Sequence, residues 1–322
     1  MLIPVLLFLL GFALLIKGGD WFVDGASGIA HRFGVPELLI GATVVSIGTT
    51  LPEVMVSATS AVSGHGEIAY GNAIGSVICN TALICALTCA IRPAKVDGKT
   101  FRIPVIFFFA AAALYAYFAY ARGEFSRAAG LSLLAVFVVY MILTVRQALQ
   151  STKEAKAEEA EAKEADSLWK LLFLLVIGAA AIAVGARLLV DNGTKIAQAL
   201  GVPESVIALT FVALGTSLPE LVTAITALVK GHSALSLGNI IGANLFNLVL
   251  VTGVSASLRP FSVPGSKLIA GMNSSLVVDI PVMLLVMALL TLPALARKKL
   301  TRGQGIVLLL IYAAFCVYQF AI

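Results

Sequence analysis

Glu53 and Glu220 are acids set inside apolar runs, each directly after a proline. Each closes the same short pattern, Gly48-Thr49-Thr50-Leu51-Pro52-Glu53 and Gly215-Thr216-Ser217-Leu218-Pro219-Glu220. A carboxylate within a hydrophobic span is costly in lipid and marks a functional site. Proline has no N–H and clashes with the carbonyl four residues back, so Pro52 frees the carbonyl of Gly48 and Pro219 that of Gly215. Steps of four and three put Thr49, Thr50 and Glu53 on one helical face, and Thr216, Ser217 and Glu220 on another. A second shared block follows each copy, Gly71-Asn72-Ala73-Ile74-Gly75 and Gly238-Asn239-Ile240-Ile241-Gly242. Beyond it Ser76 and Asn80, four apart, share a face, and Asn247 matches Asn80.

These groups are carboxylates, hydroxyls, amide oxygens and freed carbonyls, with no cysteine or histidine among them. Such hard oxygen ligands suit calcium, sodium or magnesium and disfavour zinc or copper. Calcium takes roughly six to eight oxygens in a flexible cage, and two carboxylates balance its charge; magnesium keeps its waters and wants a stricter octahedron. Unwound backbone at membrane depth is tolerated only where protein or a polar cavity surrounds it. Two such sites in a repeat point to a transporter holding a cation between its halves.

The elements that position these residues are membrane helices. Hydrophobic residues make up 60% of the chain and charged residues 12%, with a mean hydropathy of +1.01. A soluble domain carries about 25% charged residues. We expect spans at 2–31, 36–62, 67–91, 102–121, 127–148, 168–199, 203–229, 234–258, 270–293 and 303–321. The first, Leu2 to Ile16 at its start, lacks a charged leader and cleavage site and reads as a retained helix. The four cysteines lie in apolar runs without metal spacing and read as packing residues. The net charge of +5 comes from short connections, not a patch, so no nucleic acid is implied.

An offset of 167 aligns the two halves without a gap, and 24 of the 60 positions from Gly34 to Pro93 are identical to their mates. The matches include Pro, Glu, His, Asn and Arg, which shared hydrophobicity does not explain, so this is a duplication. The fold class is therefore an all-α integral membrane protein with ten transmembrane helices in two five-helix repeats. Five spans is odd, so the second repeat, 168–322, is inverted relative to the first, 1–149. The Ala-, Glu- and Lys-rich segment 150–167 reads as a solvated, partly helical linker. With the N-terminus outside, inside connections hold fifteen Lys and Arg and outside ones only four: Arg122, Arg127, Arg259 and Lys267. That places both termini outside and the linker in the cytoplasm.

The two motifs resemble the alpha-repeats of the sodium/calcium exchangers, in the cation/calcium exchanger superfamily, and most closely its bacterial calcium/sodium antiporter branch. The resemblance covers nearly the whole chain. It implies that the second, third, seventh and eighth spans hold the ions. It implies Glu53 and Glu220 as carboxylates shared by calcium and sodium, hydroxyls from Thr49, Thr50, Ser76, Thr216 and Ser217, and an amide from Asn80. It adds the backbone carbonyls of Ser46 and Ala213. Many relatives have serine where this chain has Ala243, asparagine where it has Val77, and an acid where it has Asn247. Asn247 can still offer an oxygen to an ion or a bound water. The implied activity is calcium/sodium antiport across the cell (inner) membrane by alternating access, with the long first and sixth spans sliding over a fixed core. The alternatives are a proton-coupled exchanger, a cation channel or a transport-dead sensor. No enzyme signature such as HExxH, GxSxG or a Walker A is present. The ions are substrates, no cofactor is expected, and no obligatory protein partner is evident.

Other polar residues have plainer readings. Asp24 and Asp191 are expected to anchor helix ends, and Asp279 to bond locally to Asn273, Ser274 or Ser275. His65 and His232 follow glycines at helix C-termini. Glu37 and Glu204 suit the positive end of a helix macrodipole.

Overall fold

The computed structural model describes residues 2–158, 167–200, 215–265, 268–269 and 271–321, and among them ten helices follow one another. They are α1 (Leu2–Phe33), α2 (Glu37–Val62), α3 (Gly66–Ile91), α4 (Gly98–Arg122) and α5 (Arg127–Glu158). The second half holds α6 (Leu168–Ala199), α7 (Leu218–Lys230), α8 (Ser233–Leu258), α9 (Ser275–Arg297) and α10 (Arg302–Ala321). Nine of these are long and apolar enough to cross a membrane. The start of the seventh expected span lies outside the described residues, as do Glu204 and the carbonyl of Ala213.

Burial separates two shells. α8 is the most enclosed span, with 89% of its apolar window buried, followed by α3 with 72% and α2 with 56%; α1 has 22%. Polar side chains concentrate where lipid cannot reach, as the hydrocarbon core demands.

The repeat-mate arginines Arg92 and Arg259 each reach the other repeat, near the C-terminal end of α7 and of α2. Arg259 Nη1 donates to the carbonyl of Val62 at 2.8 Å, and Arg92 Nη1 to that of Leu228 at 3.5 Å. α1 and α6 pack on each other along paired glycines. A Cβ on Gly11 would meet the Gly185 carbonyl oxygen at 2.8 Å, and one on Gly18 the Gly178 carbonyl oxygen at 3.0 Å. Gly178 and Gly185 are the repeat mates of Gly11 and Gly18, so one small-residue stripe serves the contact twice.

Several boundaries differ from expectation. α4 begins at Gly98, not at 102, because Asp97 caps it: its carboxylate accepts from Lys99 N at 3.1 Å and Thr100 N at 3.4 Å. Such a cap contributes about 1 kcal/mol. Burial disfavours the Asp97 carboxylate, but these bonds outweigh it and hold its pKa below the ordinary value. α9 begins at Ser275, not at 270, because Leu268–Ile269 pairs antiparallel with Met272–Asn273 around Gly271, whose φ is +79°. It ends at Arg297 instead of 293, the helix running through Pro293. α5 continues into the linker as far as Glu158.

Candidate functional site

α2, α3, α7 and α8 meet at the centre. The Ser46–Val62 part of α2 touches α8 at Asn247–Val251, and α7 touches α3 at Asn80–Cys85. Close approach of α2 and α8 depends on glycine. A Cβ on Gly238 would strike the Leu38 carbonyl, and one on Gly242 would strike Ser46 Oγ and Ala42.

The helices are irregular where the polar residues lie. α2 is π-helical over Gly41–Val45, α3 over Asn80–Cys85 and α8 over Asn247–Val251. The last two begin at repeat mates. A π-turn leaves the regular ladder short of bonds and is frequent at functional sites. The two motifs differ in backbone. The helix runs through Pro52, its irregularity lying upstream, so the loosening expected at the first motif itself is absent. In the second motif α7 starts only at Leu218, after turns at Thr216 and Ser217.

Glu53 and Glu220 are both fully buried and lie within electrostatic reach of each other. All four of their carboxylate oxygens lack a hydrogen-bond partner, as do Thr50 Oγ1, both polar atoms of Asn80 and Asn247 Oδ1. Asn247 uses only its amide nitrogen, which donates to the Ala243 carbonyl at 3.1 Å. Buried polar atoms in native proteins are almost always paired. Apart from Asn80 Nδ2, which is a donor, these atoms can all act as acceptors around two negative charges, which is what a bound cation satisfies. No lysine or arginine pairs with either glutamate among the described residues. A simple kinked helix with neutralised acids does not fit.

Of the other expected residues, Thr49, Ser76 and Ser217 are buried, and Ser46 is fully so. Ser46 Oγ lies 2.8 Å from the Gly41 carbonyl and 2.9 Å from the Asn239 carbonyl, bridging α2 and α8. Thr216 is partly buried and donates to Asn72 Oδ1 at 3.2 Å.

Sequence reasoning quoted Asn72 and Asn239 but gave them no role, although each contacts a motif threonine of the other repeat. Their signal was available, since Asn72, Ser76 and Asn80 step by four along one face. It also missed Asn244, whose Nδ2 donates to Thr81 Oγ1 at 2.7 Å.

The outlying acids are engaged elsewhere. Asp279 accepts from Gln319 Nε2 at 2.9 Å, a contact from another helix, and Asn273 Oδ1 takes the N–H of Ser275 at 2.9 Å. Asp24 pairs with Lys230 Nζ at 2.7 Å, and Asp191 with Arg187 at 3.6 Å. His65 and His232 follow left-handed glycines at the C-terminal ends of α2 and α7, as expected: His65 N–H donates to the Ser60 carbonyl at 2.8 Å and His232 N–H to that of Ala227 at 2.7 Å. Each also stands directly before the next helix, and His232 Nδ1 lies 2.6 Å from Glu37 Oε1.

The profile of the family described as sodium/calcium exchanger protein matches residues 3–146 and 170–321. The chain belongs to that family. Among sodium/calcium exchanger relatives, MaX1 of Methanosarcina acetivorans is 31% identical, over 98% of this chain and 98% of that protein. Inner membrane protein YrbG of Escherichia coli is 34% identical over 81% of each. The solved structure of the sodium-calcium exchanger NCX_Mj, soaked with 2.5 mM Na+ and 10 mM Sr2+, superposes with a TM-score of 0.80. It is 35% identical and 97% of each chain is covered. As a member of this exchanger family the protein is a multi-pass membrane antiporter.

Proposed function

We propose that this protein exchanges Ca2+ for Na+ across the inner membrane by alternating access, with Glu53 and Glu220 binding both ions in turn. The observation that carries the reading is the set of four carboxylate oxygens, fully buried and without a partner. Burying bare carboxylates costs several kcal/mol each, so an occluded site is favourable only when a cation fills it. That requirement couples the two fluxes, because neither ion leaves without a replacement. Thr49, Thr50, Ser76, Asn80, Thr216, Ser217 and Asn247 supply neutral oxygens, joined by the carbonyls of Ser46 and Ala213. The names of MaX1 and NCX_Mj as sodium/calcium exchangers support the choice of ions.

Residues 1–149 and 168–322 act as the two inverted repeats, and 150–167 tethers them on the cytoplasmic side. A cysteine placed in that linker should react with an impermeant reagent only after the cells are opened. Labelling in intact cells would reverse the orientation.

The decisive experiment is calcium uptake into proteoliposomes under sodium, proton or potassium gradients imposed in turn. Sodium-driven uptake is expected. Uptake driven by protons alone would make this a proton-coupled exchanger, and uptake without any counter-ion would make it a channel.

A further inference from the structure

Asn72 and Asn239 occupy equivalent places in the two repeats and make equivalent contacts across the interface between them. Thr216 Oγ1 donates to Asn72 Oδ1 at 3.2 Å, and Thr49 Oγ1 donates to Asn239 Oδ1 at 3.1 Å. At Asn72 the hydrogen-bond logic fixes which amide atom faces the threonine. Asn72 Nδ2 lies 2.9 Å from Ser57 Oγ and 3.4 Å from the Glu53 carbonyl. That carbonyl only accepts, so the nitrogen must face it and the oxygen must face Thr216.

A hydroxyl has one hydrogen and two lone pairs. It serves a cation only when the hydrogen points away. An amide oxygen that takes this hydrogen therefore aims the lone pairs of the threonine. We propose that Asn72 and Asn239 are positioning residues, each fixing the hydroxyl of a motif threonine supplied by the opposite repeat. They need not touch the ion themselves. Each ion-facing threonine is thus oriented by the helix it does not belong to, so the site is assembled only when the two repeats are in register.

The two halves are not equally braced. Ser57 anchors the nitrogen of Asn72, but the mate of Ser57 is Ala224, which has no polar atom. Asn239 Nδ2 is accordingly buried without a partner. The Asn72–Thr216 half is held at both ends of the amide and the Asn239–Thr49 half at one.

The proposal rests on the reading of Thr49 and Thr216 as ion ligands, and its test separates the two. Sodium-driven calcium uptake is measured for Asn239→Ala, Thr49→Ala and the double variant, and again for Asn72→Ala, Thr216→Ala and their double. Loss of one aimed hydroxyl should raise the KM for sodium or calcium by roughly three- to tenfold, with the maximum rate kept within about twofold. In each cycle the double variant should match the threonine variant alone, because the asparagine acts only through that hydroxyl. Ser57→Ala should raise KM in the wild-type background and not in Thr216→Ala, and Ala224→Ser, which offers Asn239 Nδ2 an acceptor, should lower KM in the wild-type background and not in Thr49→Ala. Additive effects within a cycle, or a fall in maximum rate with KM unchanged, would overturn the proposal. Unaltered KM in Thr49→Ala and Thr216→Ala themselves would instead remove the threonines from the ion site, and the positioning role with them. Wild-type uptake driven by protons instead of sodium would refute the sodium-exchange reading alone; the same cycles are then read as KM for calcium under the proton gradient, and additive effects there would still overturn the positioning role.

Discussion

Replacing Glu220 with glutamine removes one unit of charge and leaves a similar shape. Glu220 is fully buried and both its oxygens are without partners, so the substitution acts on ion binding and on ion-free stability with opposite signs. Two unit charges at 4 Å interact by about 4 kcal/mol at an effective dielectric of about 20, and the double charge of calcium makes that about 8 kcal/mol. The glutamine oxygen remains a ligand, and the cost of stripping water from a carboxylate is avoided. If about half survives those offsets, calcium affinity falls by ~4 kcal/mol, or ~1,000-fold in Kd. Without ions the balance reverses: an uncompensated buried charge is gone, so the ion-free Tm should equal or exceed that of wild type. The assay is thermal unfolding of purified protein against calcium concentration, with uptake in proteoliposomes alongside. At a concentration 100 times the wild-type Kd, calcium stabilises wild type by about 2.7 kcal/mol. The same concentration should stabilise Glu220→Gln by only ~0.1 kcal/mol. A calcium-dependent shift preserved in the variant, or an ion-free Tm well below wild type, would refute the reasoning.

Asn247→Ala should weaken sodium-driven exchange less than either glutamate change, because Asn247 contributes an oxygen and no charge. Asn247→Asp should make uptake more sensitive to acid, since protons compete for the added carboxylate; superimposable pH profiles for wild type and variant would place Asn247 outside the ion site. Gly238→Val should lower Tm by crowding α8 against the Leu38 carbonyl, an overpacking cost of about 1–3 kcal/mol. Gly303→Ala, with nothing within 4 Å of the new methyl, is the control and should be neutral or slightly stabilising.

The duplication, the membrane class and the central acids were legible because each leaves a mark that does not depend on context. Repetition of Pro, Glu, Asn and Arg at an offset of 167 needs no structure to be seen. Helix ends were less legible, since they depend on single capping bonds: Asp97 moves the start of α4 back by four residues, and the turn at Gly271 delays α9. The contact of Asp279 with Gln319 was illegible, because Gln319 lies on another helix and only packing brings them together. The π-turns at Asn80 and Asn247 carried no periodic signal either, although both begin at residues whose amides were expected to face the ion.

What the alignment cannot convey is where the halves stop being equivalent, and there the structure adds most. Were the two repeats identical in sequence, exchanging their conformations would turn the molecule into its own inverted image, so states open to either face would be equal in energy. Any bias between them must come from positions where mates differ. Lys230 reaches from the end of α7 to Asp24 at 2.7 Å and Asp20 at 3.4 Å in α1, a contact that ties α1 to the core at one face. The mate of Lys230 is Ser63, and those of Asp20 and Asp24 are Arg187 and Asp191, which pair with each other at 3.6 Å within α6. No equivalent tie is therefore possible at the opposite face. With Ser57 against Ala224 beside Asn72 and Asn239, and Lys230 against Ser63 beside α1, the departures from symmetry bear on the proposed ion site and on the helix that flanks it. An inverted duplication supplies two states, and substitutions of this kind decide how far apart in energy they lie.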